Sequence, residues 1–221
     1  MYIQSKIASA VWKFALVAIA TYGLLDGSGI LAGKYLTGFP HMFTNVSNIF
    51  AWAYFLVAAI RLVTSKDDKP KVFAPQVKYT AMISLLVTAL IAHFLLFDAM
   101  FQNGQLVLHL VVLHYVVPIM ALLDWLLFDE KGRMPLWGPL AWMSLVLAYL
   151  AVVMVRVGLL GHDMGGGTTA DVTRYPYTFL DPALSGAGGV ALFCLSMLVA
   201  FVALGFVMVG IDRLLARLAR R

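Results

Sequence analysis

The chain has 221 residues, of which 62% are hydrophobic and only 12% charged, and its mean hydropathy is +0.89. A soluble domain carries roughly a quarter charged residues, so this composition excludes a water-soluble fold and predicts a polytopic membrane protein. The net charge of +5 is explained by where the basic residues fall along the chain, and it implies no nucleic-acid partner.

Six apolar runs can be drawn, at about 10–31, 42–64, 76–99, 106–128, 136–160 and 187–211. Each reaches the ~20 residues that a helix needs to cross the hydrocarbon. The expected fold is therefore all-α, one transmembrane domain over residues 1–221 built as a six-helix bundle. The first run has lysines ahead of it, like a signal peptide, but no convincing small-x-small cleavage site follows before Asp26. It reads as an uncleaved helix, with Asp26 held inside the run.

The second run opens on a polar island, Phe43-Thr44-Asn45-Val46-Ser47-Asn48. Thr44, Ser47 and Asn48 stand at i, i+3 and i+4, which places them on one helix face. Hydrogen bonding between helices accounts for such a cluster as readily as chemistry does. In the third run, His93 lies ~9 Å below the outer boundary, and in the fourth, His114 lies ~12 Å below it, at 1.5 Å per residue. The short connection Phe97 to Gln105 makes these two spans neighbours, so a polar pocket in the outer half is expected.

His109 and His114 are five residues apart, which separates them by about 140° on an α-helix. No two-histidine metal motif at i, i+4 results, and His109 is expected at the interface. Asp124 lies ~15 Å along the axis from His114, too far for contact, and with Trp125 reads as an inner-interface anchor. His41 and His162 fall in loops and are expected at the solvated surface. After the fifth run, residues 161–186 form a long connection containing Gly165-Gly166-Gly167 and Tyr175-Pro176-Tyr177-Thr178-Phe179-Leu180-Asp181. Its prolines and aromatics predict an ordered cap over the pocket, with Tyr177, Phe179 and Asp181 beside it. Cys194 is the only cysteine, so there is no internal disulfide or cysteine-based metal site.

The basic residues orient the bundle. Lys6 and Lys13 lie at the start of the first span. Arg61, Lys66, Lys69, Lys71 and Lys78 fall between the second and third, and Lys131 and Arg133 between the fourth and fifth. Arg213, Arg217, Arg220 and Arg221 follow the sixth, leaving only Lys34, Arg156 and Arg174 for the opposite side. The positive-inside rule then places both termini in the cytoplasm, as six spans require, and puts all five histidines toward the outer face. Intramembrane histidines are functional candidates because they must find partners or a wet cavity.

A threonine hydroxyl beside an imidazole suits nucleophilic catalysis, with Asn45, Asn48 or a loop N–H available to the oxyanion. Ser47 and Asn48 fall nearer to the expected depth of His114 than Thr44 does, so Ser47 is the competing nucleophile. Three segments, Phe43 to Asn48, Leu113-His114-Tyr115-Val116-Val117-Pro118 running to Asp124-Trp125, and Tyr175 to Asp181, together resemble the bacterial branch of the androgen-induced gene family of multi-pass membrane proteins. Animal members hydrolyse fatty acid esters of hydroxy fatty acids through a threonine and a histidine. As in their pattern, an acidic residue follows the histidine by ten, although the proline offset differs by one. The resemblance implies Thr44 as nucleophile and His114 as base, a membrane lipid or fatty acyl ester as substrate, no cofactor, and location in a bacterial inner membrane. The alternatives are a histidine-ligated metal or haem protein, suggested by the outward histidines, and a non-enzymatic lipid-binding protein.

The orientation has a direct test. Reporter fusions at Lys69 and Gly166 are expected to report opposite sides of the membrane, and the same side for both would end the six-span topology.

Overall fold

The computed structural model describes residues 2–67, 70–165 and 174–219, so Lys69, Gly166, Gly167, Arg220 and Arg221 lie outside the described residues. Six of its helices are long and apolar enough to cross a membrane: α1 (Lys6–Gly27), α2 (Phe43–Thr64), α3 (Pro75–Leu95), α4 (Leu108–Phe128), α5 (Gly138–Leu159) and α6 (Pro182–Leu218). The all-α bundle expected from the apolar runs is the observed fold.

Local chemistry moves the helix ends away from the hydropathy boundaries. The Ser5 hydroxyl accepts from the Ala8 amide and starts α1. That helix stops at Gly27, four residues earlier than expected, because the chain turns left-handed at Gly29 (φ 78°). A Cβ there would lie 2.0 Å from the Lys34 carbonyl oxygen, so the turn requires glycine. Likewise, α3 ends at Leu95 and the chain returns through a small hairpin, β1 (Phe101–Gln102) and β2 (Gln105–Leu106). Asn103 and Gly104 both take positive φ, as a tight two-residue hairpin turn demands. At the start of α6 the Asp181 carboxylate caps the helix by accepting from the Ala183 amide at 2.9 Å. Helical geometry then breaks at Gly186 (φ 68°, ψ 158°), which is why the uninterrupted apolar pattern begins only at 187.

α4 departs from α-helical geometry where it matters most. Val112–Val116 form a π turn inside it. Pro118 supplies a physical cause, since a proline has no amide to donate and its ring collides with the carbonyl four residues back, here that of His114. Widening the preceding turn relieves that collision.

Helices α1 to α4 pack mutually, whereas α5 and α6 lie to one side and leave most of their length for lipid. α1 and α4 approach closely at Gly23, where a Cβ would come within 2.9 Å of Val112 and 2.8 Å of Leu113 side-chain carbons. At the end of the bundle remote from the histidines, four charged side chains are buried together. Lys13 Nζ reaches Asp124 Oδ1 at 2.7 Å, while Lys78 Nζ reaches Asp124 Oδ2 and Asp129 Oδ1, each at 2.5 Å. Ser9 accepts a further hydrogen bond from Lys13 at 2.9 Å. This corrects three sequence expectations. Asp124 is a fully buried hub rather than an interfacial anchor, and Lys13 and Lys78 are internal rather than loop charges.

The cluster joins α1, α3 and the end of α4, and among the described residues its ions pair with one another. Lys78→Met is expected to lower stability by about 3–5 kcal/mol, because it strands buried carboxylates. Lys71→Met, which breaks the exposed pair with Asp67, should cost less than about 1 kcal/mol. Thermal unfolding of the two variants in detergent checks the difference, and equal effects would show the cluster to be energetically idle.

Candidate active site

Thr44 occupies the first turn of α2, directly after Met42 in extended conformation. Three hydrogen bonds hold this helix start beneath a layer of chain. Asn45 Nδ2 donates to the Phe39 carbonyl at 2.6 Å, the Phe43 amide donates to the Tyr177 hydroxyl at 3.0 Å, and the Tyr149 hydroxyl donates to the His41 carbonyl at 2.8 Å. Thr44 is thus partly buried despite its place at a helix end. The depth estimate that favoured Ser47 fails here, because it took the helix ends as lying at one membrane boundary.

The π turn positions the base. Within the π turn (Val112–Val116) the His114 ring reaches back along α4 to the carbonyl of Leu110. His114 Nδ1 takes that carbonyl at 2.8 Å. Since a carbonyl only accepts, Nδ1 carries the proton and Nε2 is left as an acceptor. Nε2 lies 3.0 Å from Thr44 Oγ1, so the threonine hydroxyl donates to it. The imidazole is buried, at 7% exposure. The orienting group is a neutral carbonyl, and no carboxylate touches the ring among the described hydrogen bonds.

The rest of the polar island is committed to structure. Ser47 Oγ is buried against the Thr44 carbonyl (3.0 Å) and Thr88 Oγ1 (2.8 Å), away from His114. Asn48 spends both amide protons, on the Thr44 carbonyl at 2.8 Å and the Leu113 carbonyl at 3.1 Å, so it has none left for an oxyanion. Asn45 retains one N–H beyond its bond to Phe39. The remaining electrostatic asset is the start of α2 itself, whose positive dipole end lies at Thr44.

Two cavities meet at Thr44. One, of about 190 Å³, is enclosed by α2, α3, α5 and α6 and lined by apolar groups including Val87, Ile91, Val146, Phe193 and Leu198, with Cys194 among them. The other, of about 480 Å³, carries the polar side chains Asn45, Gln102, Asp26, His109 and His114 on a lining that also includes Leu36, Phe39, Ala92 and Met100. Asp26 Oδ2 and His109 Nδ1 are 3.1 Å apart on its wall. Asp26 therefore pairs with His109 and not with His114. His109, expected at the interface, faces the chamber because the π turn intervenes between the two histidines and the 140° separation of an α-helix no longer applies.

Tyr177 lines both cavities and Phe179 lines the apolar one, so the connector does cover the site. The two rings stack at 4.9 Å, and Phe179 stacks in turn on Phe193 at 4.7 Å. Burial pushes the Tyr177 phenol above its ordinary pKa, so it stays a protonated hydroxyl; Thr44 is among its neighbours. Two expected members are elsewhere. His93 is exposed and hydrogen-bonds Tyr115 at 3.2 Å, and Asp181 serves as the α6 cap. His41 is half-buried rather than solvated, with its Nδ1 enclosed. His162 is exposed, as expected for a loop residue.

Among the described residues, no group of three or more histidine, cysteine, aspartate or glutamate side chains is arranged to hold a metal ion. Comparison of the chain with protein-family models, with curated proteins and with solved structures yielded no match.

Asn48 ties the start of α2 to the π turn of α4 through its hydrogen bond to the buried Leu113 carbonyl. Asn48→Ala is expected to lower stability by about 1–3 kcal/mol, measured by thermal unfolding, whereas a change within experimental scatter would show the two helices to be registered by apolar packing alone.

Proposed function

We propose that the protein is an integral membrane carboxylic-ester hydrolase acting on membrane lipid or fatty acyl esters, with Thr44 as nucleophile and His114 as general base and acid. The observation that carries this reading is the 3.0 Å contact between Thr44 Oγ1 and an imidazole whose other nitrogen is fixed on the Leu110 carbonyl. As Oγ1 attacks the ester carbonyl, its proton passes to Nε2. The tetrahedral oxyanion develops at the start of α2, where the helix dipole and the spare Asn45 N–H favour negative charge. On collapse, Nε2 returns the proton to the alkoxide oxygen and the alcohol departs, leaving an acyl-threonine. Water then adds to the acyl carbon, giving its proton to Nε2. Collapse of this second intermediate returns that proton to Thr44 and releases the acid.

The basic residues support an orientation with both termini cytoplasmic and the Thr44 end toward the outer face of a cell membrane, a bacterial inner membrane on the family resemblance.

Thr44→Ala is expected to abolish labelling by a fluorophosphonate probe and ester turnover together, while Ser47→Ala keeps the labelling. His114→Gln should reduce turnover by about 10²–10⁴-fold. Peptide mapping of the labelled protein checks the nucleophile, and label on any residue other than Thr44 would falsify the assignment.

A further inference from the structure

An ester carbonyl carbon carries two arms, and Thr44 stands where the apolar cavity and the larger chamber with polar side chains join. If the proposed hydrolysis holds, the arms are not interchangeable. The oxygen of the departing alcohol must receive a proton from His114 Nε2. His114 lines the larger chamber and is absent from the wall of the apolar cavity. The alkoxy arm therefore has to lie on the chamber side, and the acyl arm is left with the apolar side. Deacylation asks for the same arrangement, since the incoming water must also reach Nε2 and enters the space the alcohol has vacated. Meanwhile the acyl group on Thr44 stays in the apolar cavity among Val87, Val146, Leu198 and Cys194.

Chamber chemistry then defines the alcohol. Asp26 and His109, 3.1 Å apart, form a paired acceptor and donor on its wall, with Gln102 and Asn45 nearby. Such groups are left poorly matched by a hydrocarbon and are satisfied by hydroxyl or other hydrogen-bonding substituents. We infer that the site takes esters of an apolar acyl chain with a polar, hydrogen-bonding alcohol, the acyl chain held in the cavity between α2, α3, α5 and α6 and the alcohol held against Asp26 and His109. His109 and Asp26 are specificity residues in this scheme, outside the bond-making steps.

The single cysteine supplies the test. Treating the full-length protein in detergent with hexyl methanethiosulfonate places a hexyl chain on Cys194, with mass spectrometry confirming one adduct. Turnover of p-nitrophenyl decanoate should fall roughly tenfold or more while that of p-nitrophenyl acetate changes less than about twofold, because only the longer chain needs the occupied space. Dithiothreitol should restore the decanoate rate, and Cys194→Ala protein should not respond to the reagent. Val146→Trp, which fills the same cavity without chemistry, should show the same split between the two esters.

For the other arm, wild-type protein should prefer the decanoyl ester of glycerol over decyl decanoate, and His109→Gln or Asp26→Asn should shrink that preference by about tenfold. Acetate and decanoate rates falling together, or neither falling, would overturn the acyl placement. Sensitivity of Cys194-modified protein to the length of the alcohol instead of the acyl chain would reverse the orientation and overturn it equally. Absence of Thr44-dependent cleavage of every ester would instead overturn the hydrolase reading on which the partition rests.

Discussion

Inside a bilayer a backbone carbonyl cannot be left to water, so any break in helical hydrogen bonding must be answered by another group within the protein. The π turn of α4 carries the Val117 amide to the Val112 carbonyl, which takes from the Leu113 carbonyl its usual donor, and two side chains meet the backbone around this turn to build the site. His114 takes up the Leu110 carbonyl with its own ring, and Asn48 takes up the Leu113 carbonyl from across the helix interface. The first bond selects the imidazole tautomer, and the second sets the height of α2 against α4. With those two choices made, Thr44 Oγ1 meets Nε2 at hydrogen-bonding distance. Gly23 completes the arrangement by letting α1 close on the same turn where a Cβ would obstruct it.

The two ends of the bundle handle polarity in opposite ways. At the basic end, two lysines and two aspartates neutralise each other in a space too small to admit a ligand, and they tie three helices together. At the histidine end, polar groups line open volume, and the enclosing layer is made of connectors rather than spans. The hairpin at 101–106, the turn at Phe39–His41 and the stacked rings of Tyr177 and Phe179 form that layer. Tyr177 matters most among them, because its hydroxyl fastens the connector to the start of α2 and its ring borders both cavities.

Much of this was legible in the sequence, and the misses have identifiable causes. Hydropathy located all six spans because twenty-odd apolar residues have few other uses. It misplaced the end of α1 because Gly29, and not the last hydrophobic residue, ends the helix. The polar island and the depth of the histidine made Thr44 and His114 candidates, but the choice of Thr44 rested on the family resemblance, since simple axial counting preferred Ser47. Counting assumed ideal helices meeting a common plane, whereas the turn above α2 buries its first residue. Pro118 was a visible signal for the π turn, and with it for His109 entering the chamber, but a 3.6-residue period applied throughout α4 concealed the consequence. The ion cluster was hidden differently. Lys13 and Lys78 were counted as topology markers, and nothing local in the sequence tells a lysine at a membrane boundary from one buried against an aspartate far along the chain.

That separation bears on how the protein is assembled. Lys13 and Asp124 are 111 residues apart in sequence, and their ion pair joins the first helix to the fourth. During synthesis α1 enters the membrane long before its counter-ion exists, so the Lys13 ammonium has to remain extended toward the headgroups, where a long side chain can keep it hydrated. It turns inward only when α4 delivers Asp124 and α3 has brought Lys78. The Lys13–Asp124 pair can therefore close only once the fourth helix has been synthesised.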